Sequence, residues 1–359
     1  MIISEKTKRR FRCLAASLII MLIVPICERQ RAIRGAEEKV VFSGKELICA
    51  INLGDDMLGS HGLETGFTYE MVKKFALDNN CVVRTVVQGR DENYVDSLVS
   101  GKIDILISHQ EDIAGIPAIK SSINLSDCSV MAVCNDEEGA KIKGLNDWIG
   151  HITSTKEFDK AQKRYKGVFN PHKRVEKGLI SNRVSPYDEL IRKHAKTLGW
   201  DWRMLAAVVY QESKFSINST SHRGAAGLMQ VMPSTAAKYG VTDLLDPENN
   251  LSAGTQHLLR LQNIWKKRDL TSEELIRFTL ASYNAGEGRI LDCRNFAASK
   301  GYDNSRWSDV VKVIPLMRED SILSEESVKL GKFQGYETIN YVESVMSLYE
   351  AICIICPEA

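Results

Sequence analysis

An excess of charge of one sign is missing from this sequence. Its 47 Lys and Arg residues stand against 46 Asp and Glu, a formal net charge of +1 at pH 7. A nearly neutral chain projects no long-range field toward a polyanion, which argues against nucleic acid as a partner. Also missing is an uninterrupted apolar run of the roughly 20 residues that a comfortable membrane span needs. A cysteine framework is missing too. Cys13 and Cys27 lie near the N-terminus, and Cys49, Cys81, Cys128, Cys134, Cys293, Cys353 and Cys356 are odd in number and irregularly spaced. Cys353 and Cys356 have C-x-x-C spacing but no strand–turn–helix context, so buried free thiols, or one or two bridges, are expected. No His/Cys group has metal-ligand spacing, and no metal or other cofactor is expected. Repeats and low-complexity tracts are likewise absent.

What is present begins with the N-terminus. The basic stretch KTKRRFR precedes CLAASLIIMLIVPIC, residues 13–27, an apolar run of export-signal length. Cys27 closes the run as a lipid-modified cysteine would, although Val24-Pro25-Ile26 lacks the small residue of a good lipidation site. Residues 1–35 are therefore expected to be a lipoprotein signal, a cleaved signal or a retained membrane anchor. Each places the remainder outside the cytoplasm; an exported, periplasmic and membrane-attached protein is expected, the attachment coming with the lipoprotein or anchor reading.

A chain of 359 residues suggests two domains. In residues 40–168, strand-like KELICAIN, CVVRTVV and KIDILIS alternate with helical GFTYEMVKKFALDNN and NYVDSLVSG. That alternation predicts βαβ units and a parallel sheet. Residues 169–184 fall in a polar stretch with prolines and a glycine, as a linker would. Ser185-Pro186 is expected to cap and open a helix. Beyond it the pattern is helical over 187–198, 202–213, 233–239, 251–267, 272–284, 306–316 and 337–351, without convincing strands, so residues 185–352 read as an all-α domain.

Within that domain VVYQESKFS raises a chemical question. Leu205, Val208, Val209 and Glu212 lie at i, i+3, i+4 and i+7, so an acid shares a helix face with three apolar residues. Such a carboxyl either reaches solvent at a frayed end or keeps its proton near neutrality and donates it. Ser213 beside it is suited to hold the carboxyl or a substrate hydroxyl. In GAAGLMQVMPSTA, small residues allow close backbone approach, and Gln230 is an amide among apolar neighbours, able to bind sugar hydroxyls or an acetamido group. In LASYNAGEGR, Tyr283 and Asn284 precede Gly286, placed to end a helix. The run Gly286-Glu287-Gly288 follows no strand, so a phosphate loop is rejected. In YETINYVESV, Glu337 and Tyr341 share one helical face.

Taken in order, E-S-x-F at 212–215, G-L-M-Q-V-M-P at 227–233, Y-N-A-G at 283–286 and E-T-x-N-Y-V at 337–342 resemble the motif series of soluble lytic transglycosylases, glycoside hydrolase family 23. The resemblance runs from about residue 185 to 350. The segments GFTYEMVKKFALDNN, LVSGKIDILIS and 131–167 resemble the first lobe of periplasmic solute-binding proteins of the amino-acid-binding type, with the second lobe largely missing. The combination is similar to the two-part, membrane-bound members of the transglycosylase family.

The resemblance implies an α+β multidomain chain: a truncated α/β solute-binding-like lobe, then an all-α, goose-lysozyme-like domain that cleaves the MurNAc–GlcNAc bond of peptidoglycan. It implies Glu212 as the catalytic acid, with Ser213 beside it, Gln230 in the substrate groove and Tyr283 supporting the acid. Asn284, Glu337 and Tyr341 serve structure or substrate. Peptidoglycan strands are the expected partner, with a small ligand or muropeptide, or a docking role, for the first domain; Lys120 is the nearest cation for such a ligand. One acid without a paired carboxylate implies an anhydro-forming lyase. Asp243 and Asp246 keep open a hydrolase of the same fold, and a silent wall-binding module is the third alternative.

Overall fold

The computed structural model describes residues 41–53, 63–86, 93–126, 129–167, 169–325, 327–330, 332–333 and 335–357. The N-terminal segment 1–35, with Cys13 and Cys27, lies outside them, as does Cys128. No helix among the described residues is long and apolar enough to cross a membrane. Cys49, Cys81, Cys134, Cys293, Cys353 and Cys356 are free thiols. The chain has a two-part architecture, helical with a small sheet near the N-terminus. One unit lies within Met1–Leu53 and Tyr69–Asp159, the other within Gly54–Thr68 and Lys160–Ala359.

In the first unit β1 (Glu46–Asn52), β2 (Val82–Val86), β3 (Ile105–His109), β4 (Ile119–Ser121) and β5 (Ser129–Cys134) form one sheet in the order β2-β1-β3-β5-β4. Helix α1 (Glu64–Asp78) connects β1 to β2, and α2 (Tyr94–Val99) connects β2 to β3. Both of those strand pairs are parallel, with Cys49 opposite Thr85 and Ile105. The expected all-parallel sheet is corrected at its other half. There β5 runs antiparallel to β3 (Leu106 opposite Ala132), and β4 antiparallel to β5. The reason is chain length. After the single turn α3 (Gln110–Ile113), residues 122–128 are too few for the crossover that a parallel return requires.

One sheet face buries Ala50, Leu106, Val130 and Ala132 against Tyr94 and Leu98 of α2. Helix α4 (Ala140–Ile152) packs against β5, and its Trp148 meets Phe75 of α1 edge-on, ring centroids 5.1 Å apart. The indole N–H of Trp148 donates to Asp78 at 3.1 Å, so the aromatic contact is pinned by a polar one. Lys120, the candidate ligand-binding cation, has its ammonium bonded to the backbone carbonyl of Asp136. After α4 comes α5 (Lys156–Tyr165).

The second unit is helical. Pro171–Glu176 of the stretch expected as a linker forms α6, with Asn170 capping Lys173 N, and the Ser181 amide donates to Ile355 O at 2.7 Å. Helix α7 (Asp188–Leu198) starts later than Ser185-Pro186 suggested. Ser185 instead accepts from Tyr187 N, and the Asp188 carboxylate reaches back to Val184 N, Ser185 N and Ser185 Oγ, so an acid inside the first turn closes the entry. Helix α8 (Trp202–Ser213) is buried from Arg203 through Tyr210, packed between α7 and α15 (Tyr336–Ile355), which explains why its sequence is apolar on nearly every face. Around it stand α9 (Pro233–Lys238), α10 (Pro247–Trp265), α11 (Ser272–Ala285), α12 (Glu287–Ser299), α13 (Trp307–Val313) and α14 (Asp320–Leu323).

Helix α12 was not expected. Its opening Glu287-Gly288 reads as loop in the sequence, yet Gly286 (φ +90°) is only the joint between two helices. Trp265, fully buried at the end of α10, donates to Ser282 Oγ at 2.9 Å and locks α10 to α11.

Candidate active site

Glu212 is the penultimate residue of α8, and the chain leaves the helix in an uncommon way. Lys214 and Phe215 both have left-handed backbone, φ +54° and +67°, a conformation that costs a non-glycine residue roughly 1 kcal/mol. Burial of Phe215 against Tyr210 offsets that cost, with ring centroids 5.4 Å apart. The sharp exit ends the helix at the acid and leaves Glu212 partly buried at its rim.

Among the described residues, the phenol of Tyr341 on α15 donates to Glu212 Oε1 at 2.5 Å. Burial pushes the Glu212 carboxyl up to about 7; the Tyr341 hydrogen bond and the charge of Lys214 oppose that rise without cancelling it. Tyr341 itself is held well above its ordinary value by burial and then by Glu212, so it remains a phenol and a donor. Lys214 rests over the Tyr210 ring at 4.5 Å. The site is therefore centred on an acid, protonated to near-neutral pH and oriented by a hydroxyl.

Ser213 does not face the acid. It is fully buried, and its hydroxyl is placed on Val209 O at 3.1 Å and Leu228 O at 2.8 Å, tying α8 to the 226–231 loop. That loop folds through two isolated bridges, Thr220 to Ala226 and Ala226 to Val231. Gln230, with φ +47°, donates its amide to Ser219 O and Gly227 O at 2.8 and 3.1 Å. Its N–H groups are thus engaged in loop structure, and the side-chain carbonyl is the part left to accept from a ligand.

Tyr283 on α11 donates to Met229 O at 2.8 Å and not to the acid. It lies within the field of Glu212, whose charge, after burial, raises the phenol. The two tyrosines thus exchange the roles expected of them: Tyr341 touches the acid and Tyr283 holds the loop. Asn284 is exposed and accepts from Thr338 Oγ1 at 2.8 Å, joining α11 to the first turn of α15. Glu337 is exposed in that turn.

Asn250 was not anticipated. Fully buried on α10, it accepts from Met229 N at 2.8 Å and donates to Ala226 O and Leu244 O, each at 2.9 Å. One amide thus satisfies two backbone groups of the loop that carries Gln230 and a third, Leu244 O, in the segment after α9. Gly227, φ +77°, approaches Asn250 so closely that a Cβ would collide with its amide nitrogen and with Leu244 O. The signal was available, because Asn250 shares its helix face with Gly254, Leu258 and Leu261, just as Glu212 shares its own. Asp243 accepts from Leu245 N and Asp246 N, and Asp246 caps α10 through Asn249 N, so both carboxylates hold backbone turns.

A partly buried acid on a helical frame, held by a hydroxyl and bordered by a tightly tied loop, is an arrangement able to donate a proton. Residues 189–305 match the family model for the transglycosylase SLT domain. The membrane-bound lytic murein transglycosylase F of Desulfosudis oleivorans is 36% identical over 173 residues, 48% of this chain and 37% of that protein. The protein of the same name from Vibrio campbellii is 32% identical over 213 residues, 58% and 39% respectively. That from Haemophilus influenzae is 29% identical over 271 residues, 73% and 55%. The chain spans less than two thirds of the length of these relatives. Among solved structures, an inactive mutant of the lytic transglycosylase Slt of Pseudomonas aeruginosa aligns with a TM-score of 0.34 at 19% identity, covering 62% of this chain and 34% of that one.

Proposed function

We propose that the protein is a peptidoglycan lytic transglycosylase in which Glu212 serves first as acid and then as base. The observation that carries this reading is the partly buried Glu212 carboxyl, raised to about 7 and held by Tyr341 at 2.5 Å. Protonated Glu212 donates to the oxygen linking MurNAc to GlcNAc as the C1–O bond breaks. The neighbouring acetamido group stabilises the developing cation at C1. The Glu212 carboxylate then removes the C6 hydroxyl proton while O6 bonds to C1, which regenerates the acid and leaves a 1,6-anhydro end. Water is neither consumed nor released, so no second carboxylate is required. The commitment of Asp243 and Asp246 to backbone amides favours this route over a hydrolase.

The helical unit is proposed to be a goose-lysozyme-like domain, and the first unit a truncated solute-binding lobe. The strand order β2-β1-β3-β5-β4, with a short return where a second lobe would be inserted, supports the latter. Because Lys120 is committed to Asp136 O, a docking or scaffold role suits this lobe better than clamping a carboxylate. The basic and apolar N-terminal segment, together with relatives named membrane-bound, supports export to the periplasm and membrane attachment. Glu212→Gln tests the enzymatic reading. It should lower release of soluble muropeptides from sacculi by at least about a thousandfold, and near-normal release by the variant would refute the assignment.

A further inference from the structure

We infer that His257 is a substrate-binding residue of the glycan groove, one that hydrogen-bonds a polar substituent of a sugar lying beside Glu212. The inference rests on the transglycosylase reading and extends it to a residue that no motif contains. His257 sits midway along α10, one turn beyond Gly254, where the close approach of Met229 leaves no room for a Cβ. Its ring lies 5.5 Å from that of Tyr283 and 6.5 Å from that of Tyr239, so an imidazole is set between two phenol rings. Tyr283 connects this group to the centre, since it bonds Met229 O and feels the charge of Glu212.

Among the described residues, neither ring nitrogen of His257 has a hydrogen-bond partner in the protein, although the side chain is partly buried. A partly buried polar ring without internal partners is available to a ligand. The groups that face it are Lys238 on α9, Tyr239 after it, Arg260 on its own helix, Tyr283 on α11 and Glu287 on α12. Burial, and then Arg260, hold the imidazole below its ordinary value, with Glu287 opposing and Lys238 assisting. Arg260 is itself paired with Glu287 at 2.8 Å, so the rim carries a closed ion pair and not a free cation. A neutral imidazole offers one donor and one acceptor. That combination suits a hydroxyl or an acetamido group, and the flanking phenol rings suit the C–H face of a pyranose.

The alternative is that His257 only fills space between the tyrosines, and His257→Phe separates the two. Phenylalanine keeps the ring packing and removes both polar atoms. In otherwise wild-type protein this variant should raise KM for peptidoglycan fragments about fivefold, the value of one neutral hydrogen bond, with kcat within about twofold and an unchanged melting temperature; His257→Gln should recover part of the loss. Binding is measured separately by calorimetry with GlcNAc tetramer on the Glu212→Gln protein, with and without His257→Phe, where the same weakening is expected. Unchanged KM and unchanged tetramer affinity in the Phe variant overturn the inference and leave the transglycosylase reading standing. If the wild-type protein releases no muropeptide and the Glu212→Gln protein binds no tetramer, that reading fails and the inference falls with it.

Discussion

Tyr341 and Glu212, 129 residues apart in sequence, meet at 2.5 Å, and the phenol is the donor. The bond stabilises the carboxylate form, so it works against the burial that raises Glu212. Removing it in Tyr341→Phe should let the acid rise further. Activity that needs the protonated acid falls as pH increases through about 7 in the wild type. In the variant this alkaline limb should lie at higher pH, with kcat about 10- to 100-fold lower because the carboxyl is no longer oriented. A pH–rate profile with an unmoved or lowered limb would contradict the role given to Tyr341.

Tyr283→Phe supplies the contrast. Its hydroxyl holds Met229 O and not the acid. The variant should lose about 1 kcal/mol of stability and shift the alkaline limb much less than Tyr341→Phe. Paired pH–rate profiles and melting curves check both points.

The raised acid also makes stability depend on pH. Folded protein keeps the Glu212 proton to about pH 7, whereas the ordinary value is 4.5. Between these values the folded state holds the extra proton, so this group's contribution to stability falls as pH rises and is fully unfavourable above 7. Glu212→Gln removes the effect. Relative to wild type, the variant should gain stability between pH 4.5 and 8, by an amount on the order of 3 kcal/mol. Urea titrations at both pH values measure it, and a constant difference would show that the carboxyl is not raised.

Asn250→Ala should be among the most damaging substitutions remote from the acid. It strands Met229 N, Ala226 O and Leu244 O in a buried place. Each stranded group costs roughly 1–3 kcal/mol, so a total of about 3 kcal/mol or more is expected. A lowered melting temperature with loss of activity is the predicted pairing; a wild-type melting temperature would contradict it.

Glu212 was legible in the sequence because an acid on an apolar helix face conflicts with its surroundings. Asn250 carries the same signal on α10 more faintly, since an amide among Gly254 and leucines has less chemical contrast than a carboxylate. The longer helices of the second unit followed the apolar period closely, apart from α12, whose Glu287-Gly288 opening hid a helix start; the short α6 and α14 were not legible either. Strand positions around β1, β2 and β3 were legible as well. The direction of β5 was not, because it follows from how few residues separate β4 from β5. Which tyrosine meets the acid could not be read either. Tyr283 and Tyr341 sit on different helices, and only the packing of α8 against α15 chooses between them.

In the proposed reaction a single acid suffices because the sugar supplies its own nucleophile. Mass spectrometry of the muropeptides released from peptidoglycan sacculi by the wild-type protein tests this most directly. The expected products end in 1,6-anhydro-MurNAc, lighter by one water than hydrolysis products and without a reducing end. Hydrated, reducing MurNAc ends would contradict this reaction and would call for a second, water-activating group beside Glu212.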